Sequence, residues 1–268
     1  MLRKIQAVIA ILSTLIVFVI FAFLQAPVNQ AAVPTSVTLV GNQNWPAKDT
    51  TWPNALFVNS SNELGAHVSF GRPFKKYNLS TGAYISSAPA GDNCIVYDYA
   101  LMSNGNIVAA ASGNDGCQSI KIYSSAGNLL SSFGSFGSGS GQFGFLISVA
   151  VDSANNIYTL ELGTNSGVSR VQKFNSTGTY ITSFGSRNNL CGNSQFWNPT
   201  SVWVDSTDSV YVADAGCNRV QKFNSSGTYL LQFGSLGSGA GQFDNPRTIV
   251  SNANGTRLMI YDRNNDRV

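Results

Sequence analysis

The sequence predicts an all-β protein: a β-propeller of four-stranded antiparallel blades, about five of them visible, preceded by one N-terminal hydrophobic helix. Three observations predict it. The segment VQKFNSTGTYITSFGS from Val171 returns as VQKFNSSGTYLLQFGS from Val220, an offset of 49 residues. Looser copies, IKIYSSAGNLLSSFGS from Ile120 and KKYNLSTGAYISSA from Lys75, extend the series upstream. Within a unit the apolar period is two, and no apolar face of helical period longer than about two turns follows the N-terminus. A repeat of this length means one supersecondary unit built again and again, each burying its face on the next.

The N-terminus reads differently from the rest. Met1-Leu2-Arg3-Lys4 leads into Ile5–Leu24, an apolar run interrupted only by Gln6, Ser13 and Thr14. Such a run crosses a ~30 Å hydrocarbon core as a helix. Residues 1–26 are expected to be a transmembrane signal-anchor or a signal peptide. The anchor is favoured, because small-x-small cleavage sites are poor after Leu24. With Arg3 and Lys4 cytoplasmic, the remainder is exported. The protein would then be single-pass, with its propeller outside the cytoplasm, or secreted. Residues 27–45 read as a linker that includes a candidate ring-closing strand, Ser36–Val40.

Residues 46–268 read as the propeller, with blades near 54–90, 95–135, 145–186 and 199–235 and an incomplete fifth at 246–268. Four aromatics mark the same position in successive blades: Tyr77, Tyr123, Phe174 and Phe223, at steps of 46, 51 and 49 residues. In the fourth unit, Val202–Val204, Val210–Ala213, Val220–Phe223 and Tyr229–Phe233 are short Val-, Tyr- and Phe-rich runs. Asp, Ser, Gly and Asn clusters separate them, as in strands joined by hairpins. Asn224-Ser225-Ser226-Gly227 suits a tight turn. LMIYDRNNDRV aligns with VYVADAGCNRV, so Val268 stands 48 residues after Val220. A blade cut between its second and third strands leaves an open edge, and the expectation is a fragment of a longer ring.

These words resemble NHL repeats. The resemblance rests on SGQFGFLISVAVDSANNIYTL from Ser140, PTSVWVDSTDSVYVADAGCNRVQKFNSSGTYLLQFGS from Pro199 and AGQFDNPRTIV from Ala240. It is close over residues 130–268 and looser over 54–130. It implies a ring of usually six blades. Two departures weaken it upstream: the first two copies lack the Gln-Phe lead and the Asp-to-Arg spacing. The third has Glu161 where Asp214 and Asp262 stand, and four extra residues before Arg170.

Cys117 and Cys217 each lie three residues before a third strand, at Ile120 and Val220, and Cys94 and Cys191 each lie just before a first strand. A four-stranded blade puts both places on one face, which predicts the bridges Cys94–Cys117 and Cys191–Cys217. Each would contribute on the order of 3 kcal/mol in the chain-entropy model. A zinc site is disfavoured, with no C-x-x-C pair and one histidine. Asn59, Asn78, Asn175, Asn224 and Asn254 are N-glycosylation acceptors by pattern, although the turn grammar itself generates such triplets.

Chemistry is sparse. His67, the only histidine, lies in a strand. The amidating lyase of peptide processing, a relative of these repeats, looks to its histidines to hold a metal, and this chain has nothing equivalent. No nucleophile elbow is readable around any serine. Asp152 and Asp205 read as turn residues. Asp214 with Arg219, and Asp262 with Arg267, read as structural ion pairs across a hairpin, worth about 0–1 kcal/mol if exposed. The Gly-Ser runs at 134–141 and 234–241 lack a phosphate-loop ending and read as linkers. Trp45, Trp52, Trp197 and Arg187–Leu190 break the repeat and are the candidate binding residues.

Charged residues make up 11% of the chain and the net charge is +3. That leaves no basic field for nucleic acid, and the RING and basic face of tripartite-motif relatives are missing. The function expected is therefore a non-catalytic extracytoplasmic scaffold. It would bind a protein or glycan partner, reach the membrane through residues 5–24, and need no metal or cofactor. The alternative is an exported propeller lyase or hydrolase whose channel site is completed beyond Val268.

Overall fold

The computed structural model describes residues 94–113, 117–163, 168–251 and 257–268, together with the backbone of four strands between residues 53 and 87. Residues 1–52, with the apolar run, the linker, Trp45 and Trp52, lie outside them, as do Asn59 and Asn254. Among the described residues no helix is long and apolar enough to cross a membrane.

Strands fall into blades in chain order. Blade 1 holds β1 (Pro53–Val58), β2 (Glu63–Val68), β3 (Lys75–Asn78) and β4 (Tyr84–Ser87). Blade 2 holds β5 (Ile95–Leu101), β6 (Ile107–Ser112), β7 (Ser119–Tyr123) and β8 (Leu129–Phe133). After β9 (Ser135–Phe136) and β10 (Gln142–Phe143), blade 3 holds β11 (Phe145–Val151), β12 (Ile157–Leu162), β13 (Arg170–Phe174) and β14 (Tyr180–Phe184). After β15 (Ser186–Arg187) and β16 (Gln195–Phe196), blade 4 holds β17 (Pro199–Val204), β18 (Val210–Asp214), β19 (Arg219–Phe223) and β20 (Tyr229–Phe233). The last sheet pairs β21 (Pro246–Ser251) with β22 (Leu258–Asp262).

Each four-stranded sheet is an antiparallel meander in the order of the chain. The first strands of consecutive blades pack side by side, β1 on β5, β5 on β11, β11 on β17 and β17 on β21. The fourth strands are the most exposed. Blades therefore radiate from an axis lined by first strands, which is the propeller arrangement. His67 sits in β2 opposite Ala55, and Asn78 ends β3.

The core lies between blades rather than within one. Met102, Val108, Ile120 and Ile122 of blade 2 pack with Leu146, Val149, Ile157 and Phe174 of blade 3. Tyr158, Leu160 and Val171 of blade 3 pack with Val202, Val210, Val212 and Phe223 of blade 4. Phe174 and Phe223, two of the marker aromatics, lie 5.0 and 4.8 Å from Phe133 and Phe184 of the preceding blade. The turn glycine just beyond each marker has a double role. Gly178 and Gly227 adopt φ of 89° and 87°, and a Cβ on either would strike Phe133 or Phe184. Only glycine lets the turn close and lie flat on the neighbouring ring.

The linkers are more ordered than the sequence suggests. Two-residue parallel ladders join β9 to β10 and β15 to β16, and Leu236 bridges Phe243 in the same way. Phe143 and Phe136 are partners in one ladder, yet Phe143 is fully buried and Phe136 is 62% exposed. Phe143→Ala should cost about 3–5 kcal/mol in urea unfolding, and Phe136→Ala should stay within about 0.5 kcal/mol of wild type. Equal losses would mean that the ladder, not burial, carries the contribution.

Candidate functional site

Turn carboxylates come first. Asp152 Oδ1 accepts from the N–H groups of Ala154 and Asn156 at 3.0 and 2.8 Å, and Asp205 Oδ1 accepts from those of Thr207 and Ser209 at 2.8 and 3.0 Å. Their second oxygens accept from the hydroxyls of Tyr158 (3.2 Å) and Tyr211 (3.0 Å). Burial alone would raise the Asp205 carboxyl, but these bonds outweigh it and hold it below its ordinary value. Both residues are structural.

Asp214 and Arg219 are register partners at the end of the β18–β19 hairpin, with Nε 3.0 Å from Oδ2. The pair is buried, with 4% of the arginine side chain and none of the aspartate accessible. Asp214 also accepts from the Trp197 N–H at 2.7 Å. The Arg219 guanidinium donates to the carbonyls of Cys191, Gly192 and Gln195. Gln221 completes the cradle: its Nε2 donates to the Gln195 carbonyl at 2.7 Å and its Oε1 accepts from the Ser194 N–H at 2.9 Å. The hairpin thus grips the linker that precedes its own blade.

Glu161 and Arg170 repeat the arrangement in blade 3, at 2.6 Å, despite the longer acid and the inserted residues. Arg170 reaches the carbonyls of Gly139 and Gln142, and Gln172 reaches the Gly141 N–H, the Gln142 carbonyl and Glu161. The departures from the repeat pattern in this blade leave the pairing of acid and arginine in place. In blade 5, Asp262 and Arg267 meet at 3.0 Å, with the arginine side chain 36% exposed. Burial pushes the Glu161 and Asp214 carboxyls upward, partly offset by the N–H groups and arginines facing them. Sequence reading found the acid and the arginine but missed the glutamines, whose signal was the repeated word RVQKF.

Blade 2 lacks the cradle: Ala111 pairs with Ser119 where blades 3, 4 and 5 pair acid with arginine. There the Cys94–Cys117 disulfide joins linker to hairpin, with Cα atoms 5.3 Å apart. Blade 4 carries both devices, its Cys191–Cys217 disulfide spanning 5.8 Å between Cα atoms. Two disulfides fit a chain matured in an oxidising compartment. Trp197, beside this linker, lies under the Arg187 guanidinium at 5.3 Å, and Leu190 is 81% exposed. Asn175 and Asn224 each spend Oδ1 on the N–H groups of their own turn.

The axis holds one polar chain that sequence reading missed. In the seam between blades 2 and 3, Asp98 Oδ2 accepts from Ser148 Oγ (2.7 Å) and the Val149 N–H (3.0 Å). Ser148 Oγ in turn accepts from the Val202 N–H at 3.1 Å, and Ser201 Oγ accepts from the Ile249 N–H at 3.4 Å. Asp98 holds the register position of Ser148 and Ser201. Burial pushes its carboxyl up to about 6 against the pull of these donors.

Among the described residues no group of three or more His, Cys, Asp or Glu side chains is placed to hold a metal ion. No family model matches the chain, and no curated protein matches it in sequence. Solved structures do match its fold. The chain is similar to a nidogen/laminin complex, at 16% identity and TM-score 0.60 over 79% of this chain and 72% of that one. It is similar to a streptogramin B lyase, at 14% identity and TM-score 0.60 over 81% and 64%. A third is virginiamycin B lyase from Staphylococcus aureus, at 14% identity and TM-score 0.56 over 76% and 61%. The chain spans less than two thirds of the length of either lyase. At such identities the likeness shows the propeller fold.

Two measurements check the site. Asp214→Ala leaves a buried guanidinium without its counter-ion and should cost about 3–5 kcal/mol in urea unfolding, with Asp262→Ala costing clearly less because Arg267 is a third exposed. Asp98 binds its proton more tightly folded than unfolded, so its stabilising contribution is complete below the ordinary carboxylate value and is lost as pH rises through about 6. The stability difference between wild type and Asp98→Asn, followed from pH 4 to pH 7, should therefore shift toward the variant as pH rises. A flat difference would place the Asp98 titration elsewhere.

Proposed function

We propose that the chain is an NHL-type propeller, exported and either anchored through residues 5–24 or secreted, that binds a protein or glycan partner without transforming it. The observation that carries this reading is a row of exposed apolar side chains at one repeated place. Leu130, Ile181 and Leu230 each follow the register partner of the marker aromatic on the fourth strand, and they are 55%, 48% and 49% exposed. Leu129 and Leu231 extend the row, and Phe136, Leu190 and Leu236 stand exposed on the linkers. Exposed apolar side chains that recur at one repeat position are the surface this reading assigns to the partner.

The acidic residues support the same reading. Glu161, Asp214 and Asp262 are committed to holding linkers, and Asp152 and Asp205 to turns. Nidogen, one of the similar folds, is seen in complex with laminin, and association with a partner is the corresponding role proposed here. The small net charge of +3 favours a partner other than nucleic acid. Glycans on Asn59, Asn78, Asn175, Asn224 or Asn254 would be compatible with export.

The test uses the full chain in detergent. The triple variant Leu130→Ser, Ile181→Ser and Leu230→Ser should keep the wild-type unfolding midpoint within a few degrees, because these side chains are already solvated. It should lose partners that the wild type captures from the extracellular fraction of its own host. Equal capture by both proteins, or one equivalent of a divalent metal in the purified chain, would overturn the reading.

A further inference from the structure

Every first strand carries a β-bulge at the same place. Pairing slips between Pro53 and Ala55, Val96 and Asp98, Leu146 and Ser148, Pro199 and Ser201, and Pro246 and Ile249. One residue is thereby left over in each of the first four blades, Asn54, Tyr97, Ile147 and Thr200, and in the last the slip takes in Arg247 and Thr248, of which Arg247 holds the equivalent position. A bulge re-aims its side chain out of the alternation of the strand, and bulges gather beside functional sites. The position recurs but the residue does not, whereas the acid-and-arginine pair recurs in blades 3, 4 and 5. These five stand where first strands meet linkers, at the end of the axis that carries the cradles. Pro199 pairs there with Asp214, and Pro246 with Asp262. Thr200 Oγ1 donates to the Pro246 carbonyl at 2.9 Å, which brings one bulge against the next.

Arg247 is the charged member. Its Nε is buried and has no hydrogen-bond partner among the described residues. None of the ion pairs among those residues uses its guanidinium. A second cation, Arg263, is exposed in the 3-10 turn after β22, and its N–H donates at 3.3 Å to the carbonyl of Asn245, two residues before Arg247. Burial first, and Arg263 second, push the Arg247 guanidinium below its usual value. Two of the acids close in sequence, Asp262 and Asp244, are engaged elsewhere, and Asp266 is exposed. Asp262 holds Arg267 (3.0 Å), the Asn265 Nδ2 (2.7 Å) and the Asp244 N–H (2.7 Å), and Asp244 Oδ1 accepts from Asn264 Nδ2 at 2.9 Å. A buried donor without an acceptor, beside a like charge, is costly until an anion joins the two. A guanidinium suits the paired oxygens of a carboxylate or a sulfate.

We propose that blade 5 binds an oxyanion where its first strand meets the linker, held between Arg247 and Arg263. This deepens, and rests on, the binding reading above: the partner presents a carboxylate or sulfate group to the bulge ring. Arg247 is the ligand-binding residue, and Arg263 closes over the anion from the hairpin.

Sodium sulfate and sodium acetate are the probes, compared with sodium chloride at matched ionic strength, on the full chain in detergent with thermal unfolding as the readout. The general stabilising effect of sulfate is common to all variants, so the difference between proteins is what counts. At about tenfold excess over its dissociation constant, the preferred anion should raise the wild-type midpoint by about 2–4 °C more than that of Arg247→Gln. In chloride alone Arg247→Gln should unfold at or above the wild-type midpoint, since it removes an unpaired charge. Arg263→Gln changes an exposed residue and should fold normally while weakening the anion response several-fold. Whichever of sulfate or acetate responds names the group. The same response in Arg247→Gln or Arg263→Gln as in wild type would overturn the proposal, as would no response beyond chloride to either anion or a large loss of stability in Arg247→Gln. The Leu130, Ile181 and Leu230 triple variant should keep the full anion response, which separates failure of this site from failure of the rim.

Discussion

A carboxylate buried against an arginine, inside a ring of backbone carbonyls, holds each cradle-bearing blade to the linker before it. Asp214 and Arg219 show why the arrangement works. The acid takes the Trp197 N–H, the arginine takes the carbonyls of Gly192 and Gln195, and Gln221 takes what remains at Gln195 and Ser194. An ion pair removed from water is expensive unless its remaining donors and acceptors are satisfied. Here the backbone of a tight loop satisfies them. Buried loops carry the same liability, because their peptide groups have no ladder to join. Each problem resolves the other, so the linker can lie flat and deliver Phe196 into the seam between blades.

From that seam the remainder of the ring follows. Phe143 and Phe196 are fully buried between sheets, at 5.7 and 5.9 Å from the marker rings Phe174 and Phe223. Those rings are in turn overlaid by Phe133 and Phe184 of the preceding blade. Blades 2, 3, 4 and 5 share buried clusters across each seam between them, so they depend on docking, and docking depends on the linker. Blade 2 shows the constraint from the opposite side. Without an acid and an arginine it ties linker to hairpin by the Cys94–Cys117 bond, at the place where blade 4 has both. The covalent and the ionic devices occupy equivalent positions because they meet one mechanical demand.

With the recurring acids committed to structure, two kinds of side chain among the described residues stand out for other work. One is the apolar row on the fourth strands, where Leu130, Ile181 and Leu230 recur without burial. The other is the non-repeating set on the first-strand bulges, where Arg247 lacks a hydrogen-bond partner for its Nε. The row faces outward from the rim, and the bulges belong to the axis. A partner large enough to cover the rim and a small anionic group at the axis are compatible on one propeller, because the rigid blades separate the two places.

Much of this was legible in the sequence, because a repeat turns local grammar into architecture. The period of two gave strands within a few residues of those observed, with Val220–Phe223 expected and Arg219–Phe223 found. The equivalence of cysteine positions gave both disulfides. What the residues alone determined was the unit and its repetition: β-branched and aromatic runs pleat, Asn-x-x-Gly turns reverse them, and each half-apolar sheet needs another against it. Only the tertiary structure decided where the charges lie. Asp214 and Arg219 read as an exposed brace when the hairpin is taken by itself, since nothing in a five-residue spacing reveals that a linker will fold over it. Asp98 and Arg247 were passed over for the same reason: bulges and seams are created by packing between blades, and a side chain acquires its solvent exposure, its partners and its proton affinity only once that packing exists.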